Sequence, residues 1–239
     1  CTGGDPKFAG FVIRPDLDQR PRRRGLGQRG RPVGSLGGGR QAGLGAAGLL
    51  VQYATTVAAV IAIATLFIYV VVALRGRVSV GTFATAVAPV QVVAASTQSS
   101  LATLPAMIEC ARERLHVSPR IASLVLPLAV AVFRYTSPLG NLAVCYFIAA
   151  MYGIEPNVLQ MIGSVFVAFA VSVGSVGLPG QVSFIASVAP ICAALGLPVE
   201  VLGILVAVEI LPDIFRTIGN VTADVAVTVL VDESEPPAG

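Results

Sequence analysis

The feature that most constrains this chain is a set of long segments that contain no charged residue. These segments are residues 49–74, 78–108, 135–154 and 156–199. An α-helix of about 20 apolar residues crosses the hydrocarbon core of a bilayer, so the segments predict several membrane crossings. The composition agrees, because 12% of the residues are charged, against about 25% in a soluble domain. We therefore predict an all-α, multi-pass integral membrane protein of the cell (inner or plasma) membrane, in contact with lipid, and not an enzyme.

The first 46 residues differ from the rest of the chain. They carry nine basic residues against three acidic ones and contain twelve glycines. The stretch "RPRRRGLGQRGR" has the positive charge of a nucleic-acid-binding segment. A segment with so little apolar periodicity is, however, typical of a solvated, disordered tail. We favour the tail and expect no nucleic-acid partner; residues 233–239 form a second tail. The chain opens with Cys1, and its first methionine is Met107, which suggests a fragment, a processed chain or a damaged reading frame.

Between the two tails, residues 47–232 form the predicted transmembrane domain. Its predicted segments are a helix 49–74, a hairpin 80–108, a broken helix 121–154, a helix and hairpin 156–199, and a helix 201–231. Two apolar segments are interrupted, one by "ASTQSSLATLPA" and the other by "SVGSVGLPGQVS". Irregular backbone at membrane depth is tolerated where it is buried in protein or lines a polar cavity. The positive-inside rule places the arginine-rich loops in the cytoplasm, so the two re-entrant hairpins enter from opposite faces, as is typical of secondary transporters.

The last predicted helix contains "EILPDIFRTIGNVTAD", which places polar residues within an otherwise apolar segment. At about 100° per residue, six polar side chains fall within an arc of about 100°: Glu209, Asp213, Arg216, Thr217, Asn220 and Asp224. A charge at the bilayer centre costs at least ~2.5–3.5 kcal/mol on insertion scales, so such residues face a cavity and mark a substrate or ion path. The alternative is an internal ladder, Asp213 with Arg216 or Arg216 with Asn220, that holds helices together. We favour the path, because the ladder leaves Glu209 and Asp224 unpaired.

The segment "DIFRTIGNVTAD" resembles the last-helix signature of the dicarboxylate/amino acid:cation symporter family, which includes the glutamate transporters. "STQSSLATLP" is similar to the serine-rich first hairpin of this family, and "SVGSVGLPG" is similar to its second hairpin. The resemblance extends from Leu49 to about Asp232 and covers most of the family's mobile transport domain. The family's scaffold helices have no counterpart in residues 1–46. The resemblance implies transmembrane helices with two oppositely oriented re-entrant hairpins.

The same resemblance implies a function. The chain is expected to act as a secondary active symporter for acidic amino acids or C4-dicarboxylates, with alternating access and hairpin gates. Sodium or protons would drive it, no other cofactor is expected, and the complete family form is a homotrimer. The main alternative is a truncated, non-transporting remnant of such a symporter, and a second one is an ion channel lined by the same polar face.

Individual residues take roles that the resemblance implies. Arg216 would bind the substrate's side-chain carboxylate through two parallel hydrogen bonds, and Asp213 would take its amino group. Thr217 and Asn220 would add hydrogen bonds to the substrate, and Asn220 and Asp224 would help to hold a sodium ion. Further substrate contacts are expected from Ser99, Ser100, Ser137, Leu178 and Gly180. Backbone sodium ligands are expected from Ser172, Val173 and Ser175.

One motif departs from the family pattern. Family members carry Asn-Met-Asp-Gly-Thr in the unwound part of the seventh helix, where this chain has "FRYTS" at residues 133–137. Tyr135 takes the place of the aspartate, and Arg134 adds a positive charge that opposes a bound sodium ion. Arg134 could serve as a second carboxylate anchor, or it could snorkel or pair with Glu209. The coupling ion, sodium or proton, is therefore left open.

Overall fold

The computed structural model describes the backbone of residues 36–76, 78–174 and 180–234, and the side chains of residues 45–76, 78–174 and 183–232. Every regular element in these ranges is a helix. The helices are α1 (Leu36–Arg75), α2 (Val80–Thr97), α3 (Ser100–Glu109), α4 (Pro119–Val132), α5 (Thr136–Tyr152), α6 (Val158–Gly174), α7 (Gly180–Leu195), α8 (Leu202–Leu205) and α9 (Ile210–Ser234). A π-helical turn, Cys110–Arg114, follows α3, and a 3₁₀ turn, Val206–Val208, follows α8.

Within the described part of the chain, four stretches are long and apolar enough to cross a membrane. They are Gly45–Arg75, Val80–Thr97, Pro119–Tyr152 and Ile210–Asp232. This finding agrees with the prediction of an all-α membrane protein. That α2–α3 and α6–α7 re-enter the membrane from opposite faces stays a prediction.

The first helix begins earlier than the sequence predicted. It starts at Leu36, inside the segment 1–46 that was expected to be a disordered tail, and not at Leu49. Adding a residue to an existing helix costs far less than nucleating one. A long apolar helix can therefore extend upstream into glycine-rich sequence that could not start a helix by itself.

The predicted helix 201–231 is divided into α8, the 3₁₀ turn and α9. Pro212 explains the division, because a proline inside a continuous helix would remove the hydrogen bond to the carbonyl of Val208 and clash with it. Pro212 instead lies in the first turn of α9, where backbone N–H groups have no helical partner. Glu209 therefore lies just before α9 and not within it.

Consecutive helices pack against each other at several places in the fold, among them α2 with α3 and α6 with α7. The turn between α2 and α3 is formed by Gln98, which has a left-handed backbone (φ 49°), and by Ser99. The hydroxyl of Ser99 accepts a hydrogen bond of 3.2 Å from the amide of Ala102 and so caps α3. The link between α6 and α7 lies outside the described residues.

The last helix, α9, is the central element of the fold. In its most apolar stretch 67% of the residues are buried, against 28–44% in the other three membrane-length stretches. It packs against α1, α2, α4 and α5. One apolar cluster forms around Phe83, Met107 and Leu126, and a second forms around Tyr53 and Phe184.

The outer faces of α1 and α6 are apolar and exposed. Ile63 and Leu66 on α1, and Leu159 and Phe166 on α6, are each at least 63% exposed. Such surfaces are typical of helices in contact with lipid or with another apolar element. The polar residues of α9 thus lie at the centre of a bundle whose periphery is apolar.

Candidate functional site

The polar residues at the start and middle of α9 are turned into the protein. The exposed fraction is 6% for Arg216, 3% for Asn220 and 1% for Asp224, and Glu209 is also buried. Asp213 is half-buried. The stripe predicted from the sequence therefore lies inside the bundle, against α1 and α5.

Arg216 is held between two carboxylates. Its Nη2 lies 2.9 Å from Oε1 of Glu209, and its Nη1 lies 3.5 Å from Oδ1 of Asp213. The other oxygen of Glu209, Oε2, accepts a hydrogen bond of 2.5 Å from the hydroxyl of Tyr53 on α1. The expectation that Glu209 is unpaired in a salt-bridge ladder is therefore wrong, because both of its oxygens have partners. The ladder contact of Asp213 with Arg216 is present.

The guanidinium of Arg216 nevertheless keeps unused hydrogen-bonding capacity. Its Nε and Nη2 are buried and make no hydrogen bond with any described residue, although Nη2 forms the ion pair with Glu209. Buried N–H groups in folded proteins are almost always hydrogen-bonded to protein, water or a ligand. Arg216 can therefore accept a further partner with oxygen atoms, and a carboxylate matches its planar fork.

A glycine on α5 makes room for this guanidinium. A Cβ atom at Gly140 would lie 3.2 Å from both Nε and Nη2 of Arg216. That separation is tighter than an ordinary van der Waals contact, so a larger residue at position 140 would displace the side chain. The absence of a side chain at Gly140 thus lets α5 pack directly against the guanidinium of Arg216.

The break between α4 and α5 is tied to the middle of α9. Oδ1 of Asn220 accepts two hydrogen bonds of 2.9 Å from Thr136, one from its backbone amide and one from its hydroxyl group. The same hydroxyl oxygen lies 2.8 Å from the backbone carbonyl of Arg216. Nδ2 of Asn220 donates to the hydroxyl of Ser137 at 3.2 Å. Asn220 therefore pairs with Thr136 and Ser137 and not with Arg216, and it fixes the first turn of α5 beside Arg216.

One turn further along α9 lies a carboxylate without a partner. Neither oxygen of Asp224 makes a hydrogen bond with a described residue, although the side chain is almost completely buried. A buried charge without compensation is costly. Arg134, which is half-buried in the break between α4 and α5, lies close enough for its charge to act on Asp224 and on Asp213.

Residues 39–234 match the sodium:dicarboxylate symporter family. The chain belongs to this family. The match includes all of α2–α9 and most of α1, and it agrees with the resemblance inferred from the segments at 96–105, 172–180 and 213–224.

Several named relatives are similar to this symporter-family chain. Excitatory amino acid transporter 3 of Mus musculus is 33% identical over 151 residues, which are 63% of this chain and 28% of the relative. Neutral amino acid transporter A of Homo sapiens is 34% identical over 129 residues, or 54% of this chain and 24% of the relative. The aligned part is thus about a quarter of each relative's length. Both names describe transporters, which supports the expectation that the chain is not an enzyme.

The symporter family implies sodium as a coupling ion, and Asp224 fits such an ion best. Its two oxygens are hard, anionic and without a hydrogen-bond partner in the described part of the chain. Asn220 fits less well, because its Oδ1 already accepts two hydrogen bonds from Thr136. A cation beside Asp224 would therefore neutralise its charge.

The remaining predicted site residues lie on α3, α6 and α9. Ser99 and Ser100 are at the start of α3, which packs on α9. Thr217 is buried, and its hydroxyl donates to the backbone carbonyl of Asp213 at 2.9 Å. Ser172 is buried near the end of α6 and donates to the carbonyl of Ala168 at 2.7 Å.

Of the four other predicted residues of the second hairpin, Val173 and Gly180 lie within the described residues. Val173 is exposed near the end of α6. Gly180 begins α7, where the backbone alone is described. Leu178 and Ser175 lie outside the described residues.

Sequence reasoning missed four residues that shape the site. Tyr53 and Gln91 are polar side chains in apolar helices, and Gln91 donates to the hydroxyls of Tyr69 at 2.9 Å and Thr222 at 2.8 Å. The other two missed residues are Thr136 and Gly140. The available signal was the presence of polar and small residues in membrane-length segments, where such residues are often found at contacts between helices.

Proposed function

We propose that this chain forms the substrate-binding part of a secondary active symporter for acidic amino acids or C4-dicarboxylates. The observation that carries the proposal is the buried guanidinium of Arg216, which has two nitrogens without a hydrogen bond to the described residues. A planar guanidinium binds a carboxylate through two parallel hydrogen bonds, which the ammonium group of lysine cannot do. The relatives named as excitatory and neutral amino acid transporters support an amino acid as the substrate.

The charges around Arg216 favour an anionic substrate with an amino group. Arg216 would bind the side-chain carboxylate, and Asp213, half-buried and 3.5 Å from Arg216, would bind the ammonium group. Thr217 and Asn220 would orient the substrate, with Ser99, Ser100, Ser137, Leu178 and Gly180 as further contacts. Glu209 would keep the guanidinium in place while the substrate binds.

The transport cycle would use the two helix pairs as gates. The pair α2–α3 would close the site from one face of the membrane, and the pair α6–α7 would close it from the other. A cation, sodium or a proton, would couple to substrate binding, with the side chains of Asn220 and Asp224 and the backbone of Ser172, Val173 and Ser175 as candidate sodium ligands. The complete protein would act as a homotrimer in the inner or plasma membrane.

Uptake into proteoliposomes tests this function. The full chain is reconstituted, and labelled L-aspartate is added outside with an inward gradient of sodium or of protons. Arg216→Ala is the test variant, and Arg112→Ala, which changes an exposed arginine in the polar turn after α3, is the matched control. Uptake by the unchanged chain and by Arg112→Ala, and none by Arg216→Ala, supports the proposal. If uptake by the unchanged chain is no greater than uptake by Arg216→Ala, the result contradicts the proposal and favours the non-transporting remnant.

Competition between two substrates tests the role of Asp213. L-Aspartate and succinate both carry two carboxylates, but succinate has no amino group. Asp213→Asn should weaken inhibition by unlabelled aspartate and leave inhibition by succinate nearly unchanged. Equal loss of both would show that Asp213 acts only by holding Arg216. A large uncoupled current without saturable exchange would favour the ion channel instead.

A further inference from the structure

The buried polar cluster at α9 holds more negative than positive charge. Its carboxylates are Glu209, Asp213 and Asp224, and its guanidinium groups belong to Arg134 and Arg216. The sum is a net charge of −1 within a bundle whose outer surface is apolar. Burial of uncompensated charge is costly, so the distribution of the positive charges determines which carboxylate still needs a cation.

The two ends of the cluster are compensated differently. Glu209 and Asp213 share Arg216, which lies 2.9 Å and 3.5 Å from their oxygens. The charge of Arg134 acts on Asp213 as well as on Asp224. Asp224 is 1% exposed, and neither of its oxygens has a hydrogen-bond partner among the described residues. Any positive charge close to Asp224 must therefore come from a different part of the chain or from a bound ion.

The break between α4 and α5 supplies such a charge. Thr136 is fixed to Asn220 by two contacts of 2.9 Å, and Asn220 lies one helical turn before Asp224 on α9. Arg134 lies two residues before Thr136 in the same break, and the amide of Ser137 donates to its carbonyl at 3.1 Å. The first turn of α5 therefore holds Arg134 beside the part of α9 that carries Asp224.

We infer that Arg134 acts as a built-in cation for Asp224, so that the site needs one inorganic cation fewer than it would with a neutral residue at position 134. The inference depends on the proposed function in one respect: the inorganic cation that Arg134 replaces would be a coupling ion of the symporter. Two positive charges beside one carboxylate repel each other. Removal of the guanidinium should therefore raise the affinity of Asp224 for sodium by roughly tenfold or more.

Thermal unfolding of the full chain in lipid nanodiscs tests this inference without a transport assay. The unfolding temperature is measured in increasing sodium chloride, with choline chloride added to keep the ionic strength constant. The unchanged chain and Arg134→Lys should show little stabilisation that is specific to sodium. Arg134→Gln should show a saturable rise in unfolding temperature with sodium, and the double variant Arg134→Gln/Asp224→Asn should lose that rise. Arg120→Gln, an exposed arginine at the start of α4, is the control and should behave like the unchanged chain.

A double-variant cycle covers the case in which Arg134→Gln is too unstable for titration. If Arg134 compensates Asp224, Asp224→Asn should lower the unfolding temperature less in the Arg134→Gln background than in the unchanged chain. Additive effects of the two changes overturn the inference, as does an equal sodium response of the unchanged chain and Arg134→Gln. Addition of L-aspartate to the same samples separates the two proposals. If aspartate does not raise the unfolding temperature, the proposed function is contradicted, but the result of the sodium titration still holds.

Discussion

The hydroxyl of Tyr53 donates a buried hydrogen bond of 2.5 Å to Oε2 of Glu209, 156 positions further along the chain. The other oxygen of Glu209 lies 2.9 Å from Nη2 of Arg216. Tyr53 on α1 thereby holds Glu209, and Glu209 holds the guanidinium that we propose as the substrate anchor. Because both side chains are almost fully buried, water cannot easily replace a lost partner.

Tyr53→Phe should destabilise the protein, because it removes one donor to a buried carboxylate and keeps the aromatic ring. A hydrogen bond to a charged group contributes about 1.5–3 kcal/mol, and we expect a loss in the free energy of unfolding of about that size. Chemical denaturation in nanodiscs measures it. Tyr152→Phe, at the exposed end of α5, is the control. A change in the unfolding free energy no larger for Tyr53→Phe than for Tyr152→Phe would contradict the role of Tyr53.

Gly219→Ala should destabilise the contact between α1, α5 and α9. A Cβ at Gly219 would lie 2.5 Å from Cγ2 of Thr136 and 2.5 Å from Oγ1 of Thr65, so neighbouring atoms would have to move. Overpacking of this kind typically costs about 1–3 kcal/mol. The unfolding temperature of the variant measures the effect.

Gly163→Ala is the matched control for Gly219→Ala. Gly163 lies inside α6, and nothing within 4 Å would contact its Cβ. The substitution should be neutral or stabilising by up to about 1 kcal/mol, because alanine favours a helix more than glycine does. Equal responses of Gly163→Ala and Gly219→Ala would contradict the close helix approach at Gly219.

Thr136→Val should loosen the first turn of α5 while keeping the shape of the side chain. The change removes the hydroxyl that contacts Oδ1 of Asn220 and the carbonyl of Arg216, but it leaves the backbone bond to Asn220. Loss of one buried hydrogen bond costs about 1 kcal/mol. Thr55→Val is the control, because the hydroxyl of Thr55 is exposed and bonds only within α1. Thermal unfolding should show a larger loss for Thr136→Val, and the reverse order would refute the role of Thr136.

Arg216→Lys should keep the positive charge but weaken substrate binding. Lysine cannot form two parallel hydrogen bonds with one carboxylate, and loss of one charge-assisted hydrogen bond of about 1.5–3 kcal/mol corresponds to roughly tenfold to a hundredfold in affinity. Equilibrium binding of labelled aspartate measures the loss, and Arg120→Lys in the exposed first turn of α4 is the control. Unchanged affinity in Arg216→Lys would show that charge alone, without the planar fork, accounts for recognition.

The sequence was sufficient to predict the class of fold and the burial of the α9 stripe. Charge-free segments of this length are long enough to cross a membrane as helices, and the spacing of Asp213, Arg216, Asn220 and Asp224 places them on one helix face whatever surrounds them. The interruption at residues 133–135 falls within the predicted "FRYTS" segment. These features depend on local sequence, which explains why they could be predicted.

The partners within the site could not be predicted in the same way. Tyr53 and Glu209 are far apart in sequence, and nothing local indicates that α1 would pack against the start of α9. The expectation of an unpaired Glu209 failed for this reason. The contact of Thr136 with Asn220 likewise depends on how closely α5 approaches α9, and that distance is set by Gly219 and by the packing of the whole bundle.

Equilibrium binding of labelled L-aspartate to the purified full chain in nanodiscs tests the central claim most directly, since it asks only whether Arg216 holds a carboxylate substrate. We predict saturable binding by the unchanged chain and by Arg112→Ala, and no saturable binding by Arg216→Ala. Binding of the same affinity in Arg216→Ala, or no binding by a correctly folded unchanged chain, would contradict the account.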